Sequence, residues 1–239
     1  IELYGDELIC SNNPLFTKEI SAGLLDETTV SNYTYQWFLN NNQIIGETNY
    51  TLTVNTEGIY TVEVTNSNSC VRTRTITVTA SNIATIENVQ VVDLSDENSV
   101  TVLVTGLGDY EYSLDNEYWQ TSNVFSNIEA GIYTVYVKDL NGCGVATEEI
   151  SVLGIPNYFT PNGDGYNDYW NIKGINSRLN ANTIIYIFDR YGKLVKQISP
   201  LGQGWDGTFN GNQMPSSDYW YAVQLEDGRV VKGHFSLKR

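Results

Sequence analysis

The chain has 239 residues, a formal net charge of −15 at pH 7, and 41% hydrophobic and 12% aromatic residues. That charge excludes nucleic acid and anionic membrane surfaces as partners, and no apolar run approaches the ~20 residues of a membrane-crossing helix. The apolar content suffices for packed cores in two or three domains.

The charge is unevenly divided. Residues 1–152 hold four Lys/Arg against twenty-one Asp/Glu, net −17, and residues 153–239 hold nine against seven, net +2. The opening Ile1-Glu2-Leu3-Tyr4-Gly5 has neither the basic nor the apolar region of a signal peptide, and with no initiator Met a fragment or processed product is expected.

Along the chain, strand signals dominate. An aromatic strand, Tyr35-Gln36-Trp37-Phe38, is followed by the alternating runs Thr51–Val54, Tyr60–Val64 and Thr75–Val78. The pattern then restarts with Val100–Val104, the aromatic Tyr110-Glu111-Tyr112 and the run Tyr133–Val137. It restarts again with Tyr186-Ile187-Phe188 and Asp218–Leu225. Gly58-Ile59-Tyr60-Thr61-Val62 leads through a polar turn to Cys70, and Gly131-Ile132-Tyr133-Thr134-Val135 leads through Asn141-Gly142 to Cys143, both at an offset of 73. Such a repeat predicts an all-β chain of three tandem β-sandwich (Ig-like) domains at residues 1–80, 81–153 and 154–239.

Cys10 and Cys70 bracket the first unit, which predicts a disulfide between them worth ~4 kcal/mol in the chain-entropy model. Such a bond needs an oxidising compartment. Cys143 has no partner within its own unit and is expected to be a buried thiol. Asn162, Asp164, Asn167 and Asp168 place oxygen-bearing side chains in one short loop, a candidate calcium site, although an Asx/Gly turn uses the same residues. No other cofactor is indicated. A nucleophile–base pair is not apparent, since the single histidine, His234, lies in the last strand, so the chain is not read as an enzyme. Tyr118, Trp119, Trp205 and Trp220 offer a sugar-stacking alternative. On that reading the domains are carbohydrate-binding modules or spacers of a secreted polysaccharide-degrading enzyme.

The last third carries ordered motifs. Phe159-Thr160-Pro161-Asn162-Gly163-Asp164-Gly165 continues through Asn167, Asp168 and Trp170; then come Asp189-Arg190-Tyr191-Gly192-Lys193 and Trp205-Asp206-Gly207; Tyr219, Tyr221, Gly233, Lys238 and Arg239 close the series. This series resembles the gliding-motility-associated C-terminal domain, the type B sorting domain of the type IX secretion system. The first two units are similar, more loosely, to the Ig-like and adhesin repeat modules that precede such tails. The resemblance implies a cell-surface adhesin whose tail is recognised by the type IX translocon for export across the outer membrane. It also implies an outer-membrane barrel partner of the PorP/SprF type that retains the protein at the surface. Pro161, Asn162, Gly163, Asp164, Gly165, Asn167, Asp168, Trp170, Asp189, Tyr191, Gly192, Trp205, Asp206, Gly207, Tyr219, Tyr221, Gly233, Lys238 and Arg239 are the residues it nominates for recognition. The basic end of the tail, Lys238 and Arg239, is expected to help orient docking.

Overall fold

The computed structural model describes residues 1–13 and 15–239. Among them, three separate clusters of buried side chains define three β-domains in tandem.

The first domain contains β1 (Tyr4–Cys10), β2 (Lys18–Ser21), β3 (Tyr33–Leu39), β4 (Asn42–Gln43), β5 (Thr51–Val54), β6 (Gly58–Asn66) and β7 (Val71–Ser81). They form a five-stranded sheet in the order β1-β7-β6-β3-β4, faced by the pair β2-β5. Alternation decides the faces: Tyr60, Val62 and Val64 of β6 point inward onto fully buried Trp37 of β3, while Thr61 and Glu63 between them point out. The indole N–H of Trp37 is satisfied by the carbonyl of Asn49 at 2.9 Å.

In the second domain, β8 (Thr85–Val92), β9 (Ser99–Thr105) and β11 (Val124–Ser126) make one three-stranded sheet. Its partner sheet is built of β10 (Tyr110–Ser113), β12 (Gly131–Asp139) and β13 (Val145–Val152). Val100 and Val102 of the first sheet meet Val135, Val137 and Val152 of the second.

The third domain has a five-stranded sheet, β14-β20-β19-β15-β16, made of β14 (Tyr158–Phe159), β15 (Ile184–Phe188), β16 (Leu194–Ile198), β19 (Ser217–Gln224) and β20 (Val230–Leu237). The layer over its inner face consists of connecting segments, a Trp170–Trp205 bridge and the small hairpin β17 (Thr208–Phe209)–β18 (Asn212–Gln213). The repeat seen in the sequence is one three-strand unit used three times: aromatic strand, hairpin strand, last strand, as β3-β6-β7, β10-β12-β13 and β15-β19-β20. In the first and third domains a leading strand adds in parallel to the last one, β1 on β7 and β14 on β20.

The cysteine pairing differs from the expected one. Cys10 is bonded to Cys143 of the second domain, and Cys70 is a free, exposed thiol. The reason is strand length. Cys10 lies in register with Ser81 at the end of β7, whereas Cys70 directly precedes Val71 at its start. The eleven residues of β7 hold the two cysteines apart by about 36 Å at ~3.3 Å per residue, far beyond the ~7 Å Cα separation a disulfide tolerates. Cys143 is therefore not a buried thiol. It sits in the β12–β13 turn at the pole of the second domain that abuts the first. The bond spans 133 positions, worth about 5 kcal/mol in the chain-entropy model.

Neither junction is a free linker. At the first, Asp139, 2% exposed, accepts from the Ser81 hydroxyl at 2.8 Å and from the Cys143 N–H at 3.0 Å, and Asn12 exchanges hydrogen bonds with the backbone of Ile83. At the second, Leu153 is buried in the core of the third domain, and Arg229 reaches back to Asp93 at 2.7 Å. The hydrogen bond that Arg229 donates to Asp93 holds its guanidinium well above the ordinary pKa. Arg178 and Asn176 both engage Glu149.

Candidate functional site

The nominated segments converge because of strand direction. β14 and β20 run in parallel, and β15 shares their direction since both it and β20 are antiparallel to β19. The Asn162–Asp168 loop follows β14, the Asp189–Gly192 turn follows β15, and Lys238–Arg239 follow β20. All three lie at one pole of the sheet. The β19–β20 turn, tied through Arg229 to Asp93, lies at the opposite pole against the second domain. The nominated turns thus occupy the pole turned away from the second domain.

The first loop is organised by one carboxylate. Asp168 accepts the backbone N–H groups of Asn162 at 3.0 Å, Gly163 at 2.6 Å and Gly165 at 2.8 Å. Gly163 (φ 79°), Gly165 (φ 90°) and Asn167 (φ 50°) adopt left-handed backbone, which turns these donors inward. Asp164 accepts from the Asn162 amide at 2.8 Å and from the Tyr166 N–H at 2.8 Å, while Asn167 supplies its carbonyl to Thr160. This arrangement is the Asx/Gly turn that the same residues favour. Both oxygens of Asp168 are taken by donors, and the Asn162 and Asp164 side chains are bonded to each other. Among the described residues there is no group of three or more His, Cys, Asp or Glu that could hold a metal ion.

The Gly163 N–H, then those of Gly165 and Asn162, hold the Asp168 carboxyl below its ordinary pKa. A depressed folded pKa contributes stability that is present above the unfolded-state value and lost as pH falls through the folded one. An NMR titration should therefore place the Asp168 midpoint below that of an unfolded-chain aspartate. Asp168→Asn should remove the pH dependence of the loop amides, and unchanged amide titration in that variant would refute the assignment.

The second turn repeats the device. Asp189 accepts the N–H groups of Tyr191 and Lys193, both at 2.9 Å, leaving Tyr191 84% exposed at the tip. At Asp206 the carboxylate accepts from the N–H and hydroxyl of Thr208. Gly207 has φ 77°, and a Cβ there would fall 2.8 Å from Leu237. Arg239 donates to the carbonyls of Gly207 and Met214, so the last residue is tied into the fold. Lys238 stacks over Tyr158 with its nitrogen 4.4 Å from the ring centre.

Several nominated residues are core, not surface. Trp170 and Trp205 are fully buried and Tyr219 is 2% exposed. Trp170 stacks on Phe235 at 3.9 Å between ring centres and packs against Tyr221, whose ring covers Gly233. Burial also removes Trp205 from any sugar platform, and Trp119 is covered by the Lys138 ammonium at 4.2 Å. Pro161 is partly buried at the entry to the first loop, next to exposed Asn162.

Two features were not singled out from the sequence. On the outer face of the sheet, a groove of about 470 Å³ runs between Phe188, Arg190, Trp220, Ala222 and Lys232. Trp220 is 41% exposed, and its ring centre lies 6.2 Å from that of His234. Beside it is an open strand edge. The N–H groups of Ser236 and Lys238 point outward, to Asn157 and Phe159. The β19–β20 register is unbroken, so Lys232 and His234, of the same parity, also direct their N–H and C=O groups outward, beyond the end of two-residue β14. The alternation predicts the faces but gives no sign of where a neighbouring strand stops.

Residues 153–237 match the family model described as the CHU_C type IX secretion signal domain. Comparison with curated proteins gave no match. Among solved structures, the chain is similar to the titin domains I67–I69 (10% identity, TM-score 0.41, covering 99% of this chain and 96% of that one). It is also similar to the insect immune protein hemolin (12% identity, TM-score 0.41, covering 100% and 75%) and to murine CEACAM1b (15% identity, TM-score 0.39, covering 64% and 99%).

Proposed function

We propose that this chain, whose third domain is a CHU_C type IX secretion signal domain and which is therefore a type IX cargo exported to the cell surface or beyond, is part of a surface adhesin. In this reading the first two domains are a non-catalytic stalk. The third is recognised as a folded unit by the type IX translocon and then held by an outer-membrane barrel of the PorP/SprF type.

The observation that carries the reading is the match over residues 153–237, which coincides with a separately cored body whose nominated turns all sit on the pole away from the stalk. The outward groups of Lys232 and His234 provide an edge to which a barrel strand or loop can add, with backbone bonds giving affinity and the Trp220 groove giving side-chain selectivity. Arg190 and Lys232, on the rim of that groove, favour an acidic partner segment. Reversing the charge of Arg239 is a poor probe of this electrostatics, since it also breaks the ties to Gly207 and Met214.

The test is a fusion of residues 153–239 to a periplasmic reporter in a type IX-competent host. Export with retention at the surface, and recovery of a barrel protein with the retained fusion, are expected. A fusion that folds yet stays in the periplasm would overturn the sorting role, and export with release into the medium would overturn the barrel-retention step.

A further inference from the structure

The Cys10–Cys143 bond changes how the chain carries tension. Cys10 ends β1, the leading strand of the first domain, and Cys143 lies two residues before β13, the last strand of the second. Consider a pull entering at residue 1 and leaving through the third domain. The covalent path follows residues 1–10, crosses the disulfide, and continues from residue 143 to Leu153. Residues 11–142 lie off this path.

The path is also already straight. β1 runs its length beside β7, ending with Cys10 at the pole where the chain crosses into the second domain at Ser81. β13 pairs with β12 from Val145↔Lys138 to Val152↔Gly131 and delivers the chain to Leu153, in the core of the third domain. Two extended strands joined end to end by a disulfide have almost no slack to release. The joint between them is braced by the bonds of Ser81 and Cys143 to Asp139 and of Ser11 to Ser81, so the first two domains cannot swivel about a single backbone strand.

We propose that the first two domains act as a force-shielded strut: the disulfide routes tension through β1 and β13 and keeps residues 11–142 from being drawn out. A stalk built this way holds its length under shear while the third domain remains the extensible element. The mechanical property follows from the connectivity; its use at a cell surface rests on the attachment proposed above.

Single-molecule force extension of the full chain, tethered at its two ends, tests the property independently of any secretion assay. Fully extended residues span about 3.3–3.6 Å each. The oxidised chain should lengthen by about 300 Å as the third domain unfolds, with only a short increment from the first two. Adding reductant to the tether, or pulling a Cys10→Ser/Cys143→Ser variant, should add about 450 Å. Cys70→Ser should pull like the parent. If the serine variant does not fold, the reductant arm on the parent chain decides alone. An oxidised chain that already releases the additional 450 Å, or a reductant that adds none, would overturn the proposal. So would thiol labelling of the denatured, unreduced chain at Cys10 or Cys143.

Discussion

Trp170→Ala should destabilise the third domain by about 3–5 kcal/mol, the usual cost of deleting a buried tryptophan. Trp170 is fully buried, lies parallel to Phe235 at 12° and 3.9 Å, and touches the ring of Tyr221. Its indole N–H donates to the carbonyl of Pro156 at 2.8 Å, and its backbone exchanges two bonds with Trp205 at 2.9 Å each. Truncation therefore opens a cavity under the sheet and strands the Pro156 carbonyl, an added cost of ~1–3 kcal/mol if water cannot reach it. A domain of this size has about a tenth of a kcal/mol per residue in hand, on the order of 4–13 kcal/mol in all. The variant should lose a large part of that margin and, with it, export of the folded label. Denaturant unfolding followed by near-UV circular dichroism should show the third domain melting early while the disulfide-linked pair keeps its own transition. A shift of the third-domain transition below about 1 kcal/mol would show that Trp170 is not the keystone its burial indicates.

The contrast between Trp170 and Asp168 shows why the motif run was only partly legible. Both belong to one run of motif residues, yet one fills a core and the other closes a turn. Asx-type turns and cation loops both need side-chain oxygens two or three residues apart, so the Asn162–Asp168 spacing cannot separate an oxygen that accepts N–H groups from one that binds a metal. The direction of the donors makes the turn, and that depends on the left-handed backbone of Gly163 and Gly165. The all-β architecture was legible because period-two alternation in Tyr60–Val64, Tyr133–Val137 and Tyr219–Val223 fixes a buried face locally. The Cys10–Cys70 pairing fails because bracketing one unit in sequence does not bring two cysteines together in space. The repeat offset held the contrary signal: Cys70 and Cys143 occupy equivalent turns, so they mark the same pole of successive domains. In a tandem array, that pole of the second domain meets the opposite pole of the first, where Cys10 lies.

The open edge of β20 yields the sharpest test of docking. Proline at position 232 removes an N–H that points away from β19, so the sheet keeps every ladder bond, as at other edge positions where proline is tolerated. Proline at the next residue inward, Val231→Pro, instead deletes a ladder bond to Val223 and should cost about 1–3 kcal/mol through the stranded acceptor alone. Lys232→Pro should therefore leave the melting curve of the third domain close to that of the parent while reducing export and barrel recovery by tenfold or more, since an added strand would meet a missing donor and a ring in its path. Lys232→Met separates the backbone effect from the lost ammonium: it should retain most of the export if strand addition dominates. Secretion assays should be read beside thermal melts of the purified chains. A folded Lys232→Pro chain exported and retained at the parent level would sink edge pairing at β20 and move recognition to the Asp189–Gly192 pole. Equal losses in the proline and methionine variants would instead make the cationic rim of the Trp220 groove the principal contact.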